Sequence, residues 1–279
     1  MTAGLVQLCV GDDPALNLPV TRALVRQAAE GGADLVLTPE ATNLICAGGD
    51  WKRRVTHRES EDPTLAALRD DARSLGVWIL IGSLSLRTED PQETRYLNRS
   101  FLIDPQGGIV ARYDKLHMFD VVISPQESYR ESASYIPGNR AQLAPGPVPI
   151  GLSICYDLRF PHLYRRLARA GAQILTVPAA FNDTTGAAHW EVLLRARAIE
   201  TGCFVLAPAQ TGSHPAPHAP PGRMRRSWGH SLVIAPWGEV LADAGTEPGT
   251  ILATLDFRAV DKARSRIPSL THDRDFLDP

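Results

Sequence analysis

The chain has 279 residues, a formal net charge of −2, 44% hydrophobic residues and 22% charged residues. This length is enough to bury a large core, and the composition is typical of a globular protein. The small net charge does not indicate a nucleic-acid or acidic-membrane partner. No apolar stretch approaches the roughly 20 residues needed to cross a bilayer.

The cysteines favour a reducing compartment. Cys9, Cys46, Cys155 and Cys203 are far apart in the chain and form no C-x-x-C pair. A zinc site or a disulfide framework is therefore not indicated, and a cytoplasmic location fits. Residues 1–5 lack the basic segment of a signal peptide, so we expect none.

Short apolar runs alternate with amphipathic segments in the first part of the chain. Residues 5–10, 34–40 and 77–81 are predicted strands, 98–103 and 109–113 a hairpin, and 15–30 and 59–75 helices. Residues 116–149 show little periodicity and many Ser, Pro and Gly residues. We predict a long loop there, and long loops inside compact domains tend to be functional.

A similar alternation follows in the second part. The predicted strands are 150–154, 173–177, 203–207 and 251–255, with a hairpin at 231–235 and 239–242 and helices at 162–170, 187–201 and 258–266. Residues 213–226 are rich in Pro, His and Arg and predict a surface loop. The order favours an α/β sandwich with sheets inside and helices outside. No linker or tandem repeat interrupts it, so we predict a single domain over residues 1–279.

Three reactive side chains stand where predicted strands end, namely Glu40, Lys115 and Cys155. If these strands end on the same side of a sandwich, a base, a cation and a nucleophile meet. A carboxylate can take the thiol proton, and an ammonium favours a thiolate and can stabilise an oxyanion. Taken singly, each residue has a plainer interpretation as a capping acid, a solvated surface charge or a small core residue.

Cys155 lies between a predicted strand and a predicted helix. Proline at position 161 fits the first helical turn. Backbone N–H groups and the positive end of a helix dipole would favour a thiolate at such a position.

The segments around these residues resemble signature blocks of a known family. Residues 37–40 (LTPE), 113–117 (YDKLH) and 153–161 (SICYDLRFP) are similar to the three blocks of the nitrilase superfamily, the carbon–nitrogen hydrolases. Residues 188–200 and 229–231 extend the likeness over nearly the whole chain. The resemblance implies a four-layer α-β-β-α sandwich and a Glu-Lys-Cys triad that needs no metal or organic cofactor.

The resemblance also implies roles for individual residues. Cys155 would attack the amide carbon, and Glu40 would accept the thiol proton and later activate water. Lys115 and the backbone N–H of Tyr156 would hold the oxyanion. Glu131 matches a second glutamate of the family and would position Lys115 or the substrate. The alternative for Glu131 is a solvated loop charge.

Within the superfamily the chain most resembles the amidase branch that includes deaminated glutathione amidase and omega-amidase. This implies hydrolysis of the terminal amide of an α-keto-acid ω-amide, deaminated glutathione or α-ketoglutaramate, to a carboxylate and ammonia. Arg159 would grip the substrate carboxylate, because a guanidinium binds a carboxylate bidentately. Phe181 and Thr185 match pocket positions of this branch. Their alternatives are a core aromatic residue and a loop hydroxyl.

Several alternatives stay open on the sequence. An N-carbamoyl amino acid hydrolase or another amidase shares the need for a carboxylate-binding arginine, and a binding or scaffold protein would keep the fold without turnover. His189 and His230 invite a Cys–His dyad, but Glu40 and Lys115 already supply the activation, so we expect structural hydrogen bonds from these histidines. The resemblance further implies a homodimer or higher homo-oligomer, with the polar segment 258–279 at its interface.

Overall fold

The computed structural model describes residues 1–45, 48–125, 127–219 and 225–277. Cys46 lies outside the described residues, and so do parts of the predicted loop at 213–226 and the last two residues of the segment 258–279. Among the described helices, none combines the length and the apolar character needed to span a membrane.

The helices and strands follow the alternation expected from the sequence. The α-helices are α1 (Pro14–Glu30), α2 (Gly49–Val55), α3 (Pro63–Leu75), α4 (Pro161–Arg169), α5 (Asp183–Thr201) and α6 (Arg258–Arg266). The first strands are β1 (Thr2–Gln7), β2 (Leu35–Leu37), β3 (Trp78–Arg87), β4 (Tyr96–Ile103), β5 (Ile109–Asp114), β6 (Asp120–Ser124), β7 (Glu127–Arg130) and β8 (Gln142–Pro145). The later strands are β9 (Pro149–Leu152), β10 (Ile174–Thr176), β11 (Phe204–Ala207), β12 (Thr211–Ser213), β13 (Arg226–Trp228), β14 (Leu232–Ile234), β15 (Val240–Asp243) and β16 (Gly249–Thr254).

Two six-stranded mixed sheets form the centre of the fold. The first has the order β16-β1-β2-β3-β4-β5 and the second the order β15-β14-β11-β10-β9-β8. Strands β1, β2 and β3 are parallel in the first sheet, as are β9, β10 and β11 in the second. Antiparallel strands complete both edges.

Side chains alternate between the two faces of each strand, and this alternation divides the core of the first sheet. Leu35 and Leu37 face a cluster shared with the second sheet, where Leu152 lies. Val36 faces the opposite way, into a separate cluster. Because both faces of the central strands are buried, these strands are short uninterrupted apolar runs in the sequence.

Helices cover the outer faces of both sheets. Val25 of α1 and Leu68 of α3 belong to the cluster outside the first sheet. Leu167 of α4 and Leu194 of α5 belong to the cluster that includes the second sheet. The predicted four-layer α-β-β-α sandwich is therefore confirmed.

Two predicted elements differ from the structure. The helix expected over 59–75 is a 3-10 turn, Glu59–Glu61, followed by α3, because Asp62 caps α3 by accepting a hydrogen bond from the N–H of Leu65 and Pro63 begins it. The loop expected over 116–149 contains the hairpin β6–β7 and the edge strand β8. Both pairings join residues close in sequence, such as Val122 with Ser128 and Gln142 with Leu152, but these strands are partly exposed and mix polar with apolar residues, so they leave no clear apolar pattern.

The segment after β16 packs against its own chain as far as residue 273. Val260 of α6 is buried, and Arg264 donates hydrogen bonds to the backbone of Thr201 and Ala172. Arg165 of α4 forms an ion pair with Asp273. These polar contacts explain how so polar a segment is held to the sandwich.

Candidate active site

Cys155 lies in a strained turn directly after β9. It begins a 3-10 turn, Cys155–Arg159, with a φ of 49°, a left-handed conformation that residues other than glycine rarely adopt. Its N–H donates to the carbonyl of Pro178 at 2.9 Å. Within the described residues, the N–H of Tyr156 has no acceptor. The turn thus presents a thiol next to an available backbone donor.

Lys115 follows β5 and lies between two carboxylates. Its Nζ donates to Oε1 of Glu40 at 2.9 Å and to Oε1 and Oε2 of Glu131 at 3.0 and 2.8 Å. Only 2% of the Lys115 side chain and 6% of the Glu40 side chain are exposed. A buried ammonium is tolerated when charged partners surround it in this way.

Asn98 of β4 is a member of this cluster that sequence reasoning missed. Its Nδ2 donates to Oε1 of Glu40 at 2.9 Å and to Oε1 of Glu131 at 3.2 Å. Both neighbours accept hydrogen bonds only, so the amide orientation is fixed. Its buried Oδ1 has no partner among the described residues. The only sequence signal was a polar residue at a buried strand position.

The pKa values of Glu40 and Lys115 follow from burial and charge. Burial raises the pKa of Glu40, but the charges of Lys115 and Arg225 and hydrogen bonds from Lys115 and the N–H of Ala180 outweigh it, leaving that pKa at about 2. Burial lowers the pKa of Lys115, and the charges of Glu131 and Glu40 raise it well above its usual value. The pair is therefore ionised at neutral pH.

The thiol of Cys155 behaves differently from the expectation based on a helix dipole. Burial, the charge of Glu40 and a hydrogen bond with Glu40 raise its pKa well above the usual value, and the opposing charge of Lys115 does not compensate. Cys155 is separated from α4 by the 3-10 turn, so the expected helix N-terminus is not beside it. The resting form is a thiol beside the Glu40 carboxylate, an arrangement suited to proton transfer.

Asp157 joins the cysteine turn to the end of β5. This fully buried carboxylate accepts hydrogen bonds from the N–H of Ile154 at 2.9 Å and from the hydroxyl of Tyr113 at 2.7 Å. It also accepts from the N–H of His117 at 3.0 Å and contacts its Nδ1 at 2.7 Å. The strand that leads to Lys115 therefore fixes the position of the turn that holds Cys155.

A cavity of about 730 Å³ opens onto the cluster. Its lining includes Cys155, Lys115, Glu40 and Glu131, together with Tyr129 of the β6–β7 hairpin. Its volume lies within the range of about 300–1,000 Å³ typical of ligand pockets.

Three cations in the cavity lining were not identified from the sequence, namely Arg130 at the end of β7 and two others. Lys52 belongs to α2, a helix that was not predicted, and Arg225 belongs to the Pro- and His-rich segment. Arg225 donates to the carbonyl of Ala180 at 2.8 Å and lowers the pKa of Glu40. In the sequence, none of the three differs from an ordinary surface cation.

The predicted substrate-binding residues occupy different places. Tyr156, Phe181 and Thr185 line the cavity, and the buried hydroxyl of Thr185 has no partner among the described residues. Arg159 is not part of that lining. Its guanidinium lies over the rings of Tyr156 and Phe181, at 5.9 and 5.4 Å from their centroids, and contacts Nδ1 of His189 at 3.3 Å.

The two histidines considered for a dyad contact other groups. His189 contacts Arg159, while Nδ1 of His230 lies 3.0 Å from Asp243 and the carbonyl of His230 accepts from Trp190 at 2.8 Å. Neither is in the cavity lining.

Known proteins are similar to this chain over nearly its whole length. The Carbon-nitrogen hydrolase family profile matches residues 2–265. A deaminated glutathione amidase from Yersinia enterocolitica is 38% identical over 272 residues, which cover 97% of this chain and 92% of that protein.

Two solved structures share the fold. The NitFhit protein of C. elegans has a TM-score of 0.88 and 34% identity over 98% of this chain, which spans only 65% of that longer chain. A mutant amidase from Nesterenkonia sp. AN1, with acrylamide added to its active-site cysteine, has a TM-score of 0.76 and 28% identity over 96% of this chain and 98% of its own.

The raised pKa of the Cys155 thiol predicts that Glu40→Gln makes the alkylation of Cys155 faster. Because the charge of Glu40 suppresses the thiolate, the variant should react with iodoacetamide at neutral pH roughly three- to tenfold faster than wild type. Lys115→Met should react more slowly, since it removes the charge that favours the thiolate. The measurement is the labelling rate of Cys155 by peptide mass spectrometry, with Cys9 as the internal reference. Slower labelling in Glu40→Gln would contradict the assignment of the pKa shift.

Proposed function

This chain belongs to the carbon–nitrogen hydrolase family, and we propose that it is a cofactor-independent thiol amidase acting on α-keto-acid ω-amides. Deaminated glutathione is the preferred substrate and α-ketoglutaramate the second. The observation that carries the proposal is the buried Glu40–Lys115–Glu131 cluster beside Cys155 on the wall of a cavity. The name of the Yersinia relative supports the substrate.

In the proposed acylation step, the sulfur of Cys155 bonds to the amide carbon while Glu40 takes the thiol proton. The carbonyl oxygen becomes an oxyanion between Nζ of Lys115 and the N–H of Tyr156. Glu40 then gives its proton to the nitrogen, the carbon–nitrogen bond breaks, and a thioester remains. A primary amide such as α-ketoglutaramate releases ammonia. Deaminated glutathione has a substituted amide and releases cysteinylglycine, so the expectation of ammonia from both substrates holds only for α-ketoglutaramate.

In the proposed deacylation step, water attacks the thioester. Glu40 accepts a proton from the water, and the carbon–sulfur bond breaks as the carboxylic acid forms. The proton on Glu40 returns to the Cys155 sulfur. Glu131 acts as a positioning residue, because it holds Lys115 through both carboxylate oxygens.

The Cys155→Ala variant should lose at least about a thousandfold in kcat, since the residue that bonds to the substrate is missing. Wild type mixed with a slow ω-amide should show an acyl adduct by mass spectrometry, and the variant should show none.

The assay panel for the substrate class contains deaminated glutathione, α-ketoglutaramate and N-carbamoyl amino acids, with ammonia, cysteinylglycine and free amino acid measured as products. A preference for a carbamoyl compound would contradict the substrate class, and no turnover of the panel would favour a binding or scaffold protein.

Arg159 is proposed to bind the carboxylate of the keto acid. The support is its place over two rings of the cavity lining, with no carboxylate partner among the described residues. Tyr156, Phe181 and Thr185 are proposed to form the surrounding pocket wall.

The preference for carboxylate-bearing over neutral ω-amides should fall roughly ten- to a hundredfold in Arg159→Ala, through KM, because a charge-assisted pair is lost. Arg159→Lys should recover only part of the preference, since an ammonium lacks the planar fork. Steady-state kinetics on matched pairs of amides measures this. An equal loss on both classes would indicate that Arg159 only supports the turn after Cys155.

We also propose a cytoplasmic homodimer. The described cysteines are unpaired thiols, as in a reducing compartment.

The proposed dimer would use the face formed by α5, α6 and the segment 258–279. There Ile199, Trp237 and Ile267 are 56%, 44% and 57% exposed around a second cavity of about 730 Å³. Apolar exposure of this kind is typical of interfaces between chains.

Light scattering should give a dimer mass for wild type at micromolar concentration and a monomer mass for Ile199→Glu, because a buried unpaired carboxylate opposes association. Leu16→Glu is the matched control, since Leu16 is 69% exposed on α1, away from this face. A monomeric wild type would contradict the dimer without affecting the chemistry.

A further inference from the structure

Lys52 is a buried cation that the proposed chemistry does not use. Only 7% of Lys52 is exposed, yet the residue lines the same cavity as Cys155. Among the described residues, no carboxylate forms an ion pair with it. Its Nζ donates to the hydroxyl of Tyr135 at 2.9 Å and lies 4.1 Å from the ring centroids of both Tyr96 and Tyr135.

The surroundings of Lys52 hold it in place without neutralising its charge. The Tyr135 hydroxyl also contacts Oγ of Ser85 at 3.1 Å, so the ring that supports the ammonium is itself fixed to β3. Two aromatic faces stabilise a cation by about 1–2 kcal/mol each at most, which is less than the several kcal/mol lost by removing an ammonium from water. An anion that enters the cavity would offset the rest of the free energy lost by burying the Lys52 ammonium.

The carboxylates of the cavity already have partners. Glu40 and Glu131 bind Lys115, and Glu127 accepts hydrogen bonds from Asn182 at 2.6 Å and from the hydroxyl of Tyr129 at 2.7 Å. The positive charge of Lys52 is therefore available to a ligand carboxylate.

Lys52, which lines the cavity, and Arg159, which lies over two rings of the lining, come from different halves of the sandwich. Lys52 and its tyrosines belong to segments that adjoin the first sheet, since Tyr96 begins β4 and α2 follows β2. Arg159 follows β9, and Phe181 follows β10, both in the second sheet. A substrate that carries a carboxylate on each side of its scissile amide would satisfy both cations.

We propose that Lys52 binds the carboxylate on the leaving group of the substrate, so that the site selects an amide of an α-keto acid whose amine portion is a peptide ending in a carboxylate. This rests on the proposed function and deepens it. Deaminated glutathione fits this description, because its amide joins the keto acid to cysteinylglycine. α-Ketoglutaramate has an unsubstituted amide and a carboxylate on the acyl side only.

The test compares deaminated glutathione with its glycinamide, in which the terminal carboxylate is replaced by a neutral amide. Wild type should prefer the carboxylate in kcat/KM by roughly ten- to a hundredfold, mainly through KM, as expected for one charge-assisted hydrogen bond. Lys52→Met should bring this preference close to one, and Lys52→Arg should retain part of it. Arg53→Met is the matched control and should keep the wild-type preference, because Arg53 is 66% exposed on the same helix α2 and does not line the cavity.

The preference is the ratio of two kcat/KM values measured on one protein preparation. A lower fraction of folded protein reduces both values equally and leaves the ratio unchanged. Wild-type turnover with no preference for the carboxylate would overturn the subsite without any variant, and so would a Lys52→Met preference equal to that of wild type. Wild type that hydrolyses neither compound would instead overturn the proposed function. The two failures are therefore distinguishable.

Discussion

The ammonium of Lys115 between Glu40 and Glu131 is the interaction on which the site depends. Each of the three groups would be costly to bury alone, and together they form a compensated cluster. The three residues come from the end of β2, the end of β5 and the turn after the β6–β7 hairpin. Removing one partner leaves an uncompensated buried charge, at a cost of about 3–5 kcal/mol. The cluster is thus a structural constraint as well as a chemical one.

The charge cluster also sets the state of Cys155. The same Glu40 that raises the pKa of the Cys155 thiol is the group able to take the thiol proton. The unliganded site therefore favours the protonated thiol, which is a weaker nucleophile than the thiolate. In the proposed mechanism, activation then requires an electrophilic carbon beside the sulfur and an oxyanion that Lys115 stabilises. A thiol kept protonated at rest is also less exposed to alkylation and oxidation than a free thiolate.

In the proposed mechanism, binding and catalysis use different parts of the fold. The reacting groups stand at the ends of buried strands and are fixed by Asp157 and Asn98. The cavity walls come from connections between strands, namely α2, the β6–β7 hairpin and the segment that carries Arg225. This division allows a rigid centre for amide hydrolysis to be combined with walls that select the groups on either side of the amide.

The sequence by itself determined a sandwich with helices outside and the positions of Glu40, Lys115 and Cys155 at strand ends, because apolar periodicity is recorded in neighbouring residues. The four-layer order was implied by the resemblance of local motifs to the carbon–nitrogen hydrolases. Only the tertiary structure decided the raised thiol pKa, the bridging role of Asn98 and the burial of Lys52 between two tyrosines. These properties arise from interactions between residues as far as 115 positions apart in the chain, the separation of Glu40 and Cys155. Burial and the electric field of distant charges leave no local pattern, so the sequence could name the reactive groups but not the environment that tunes them.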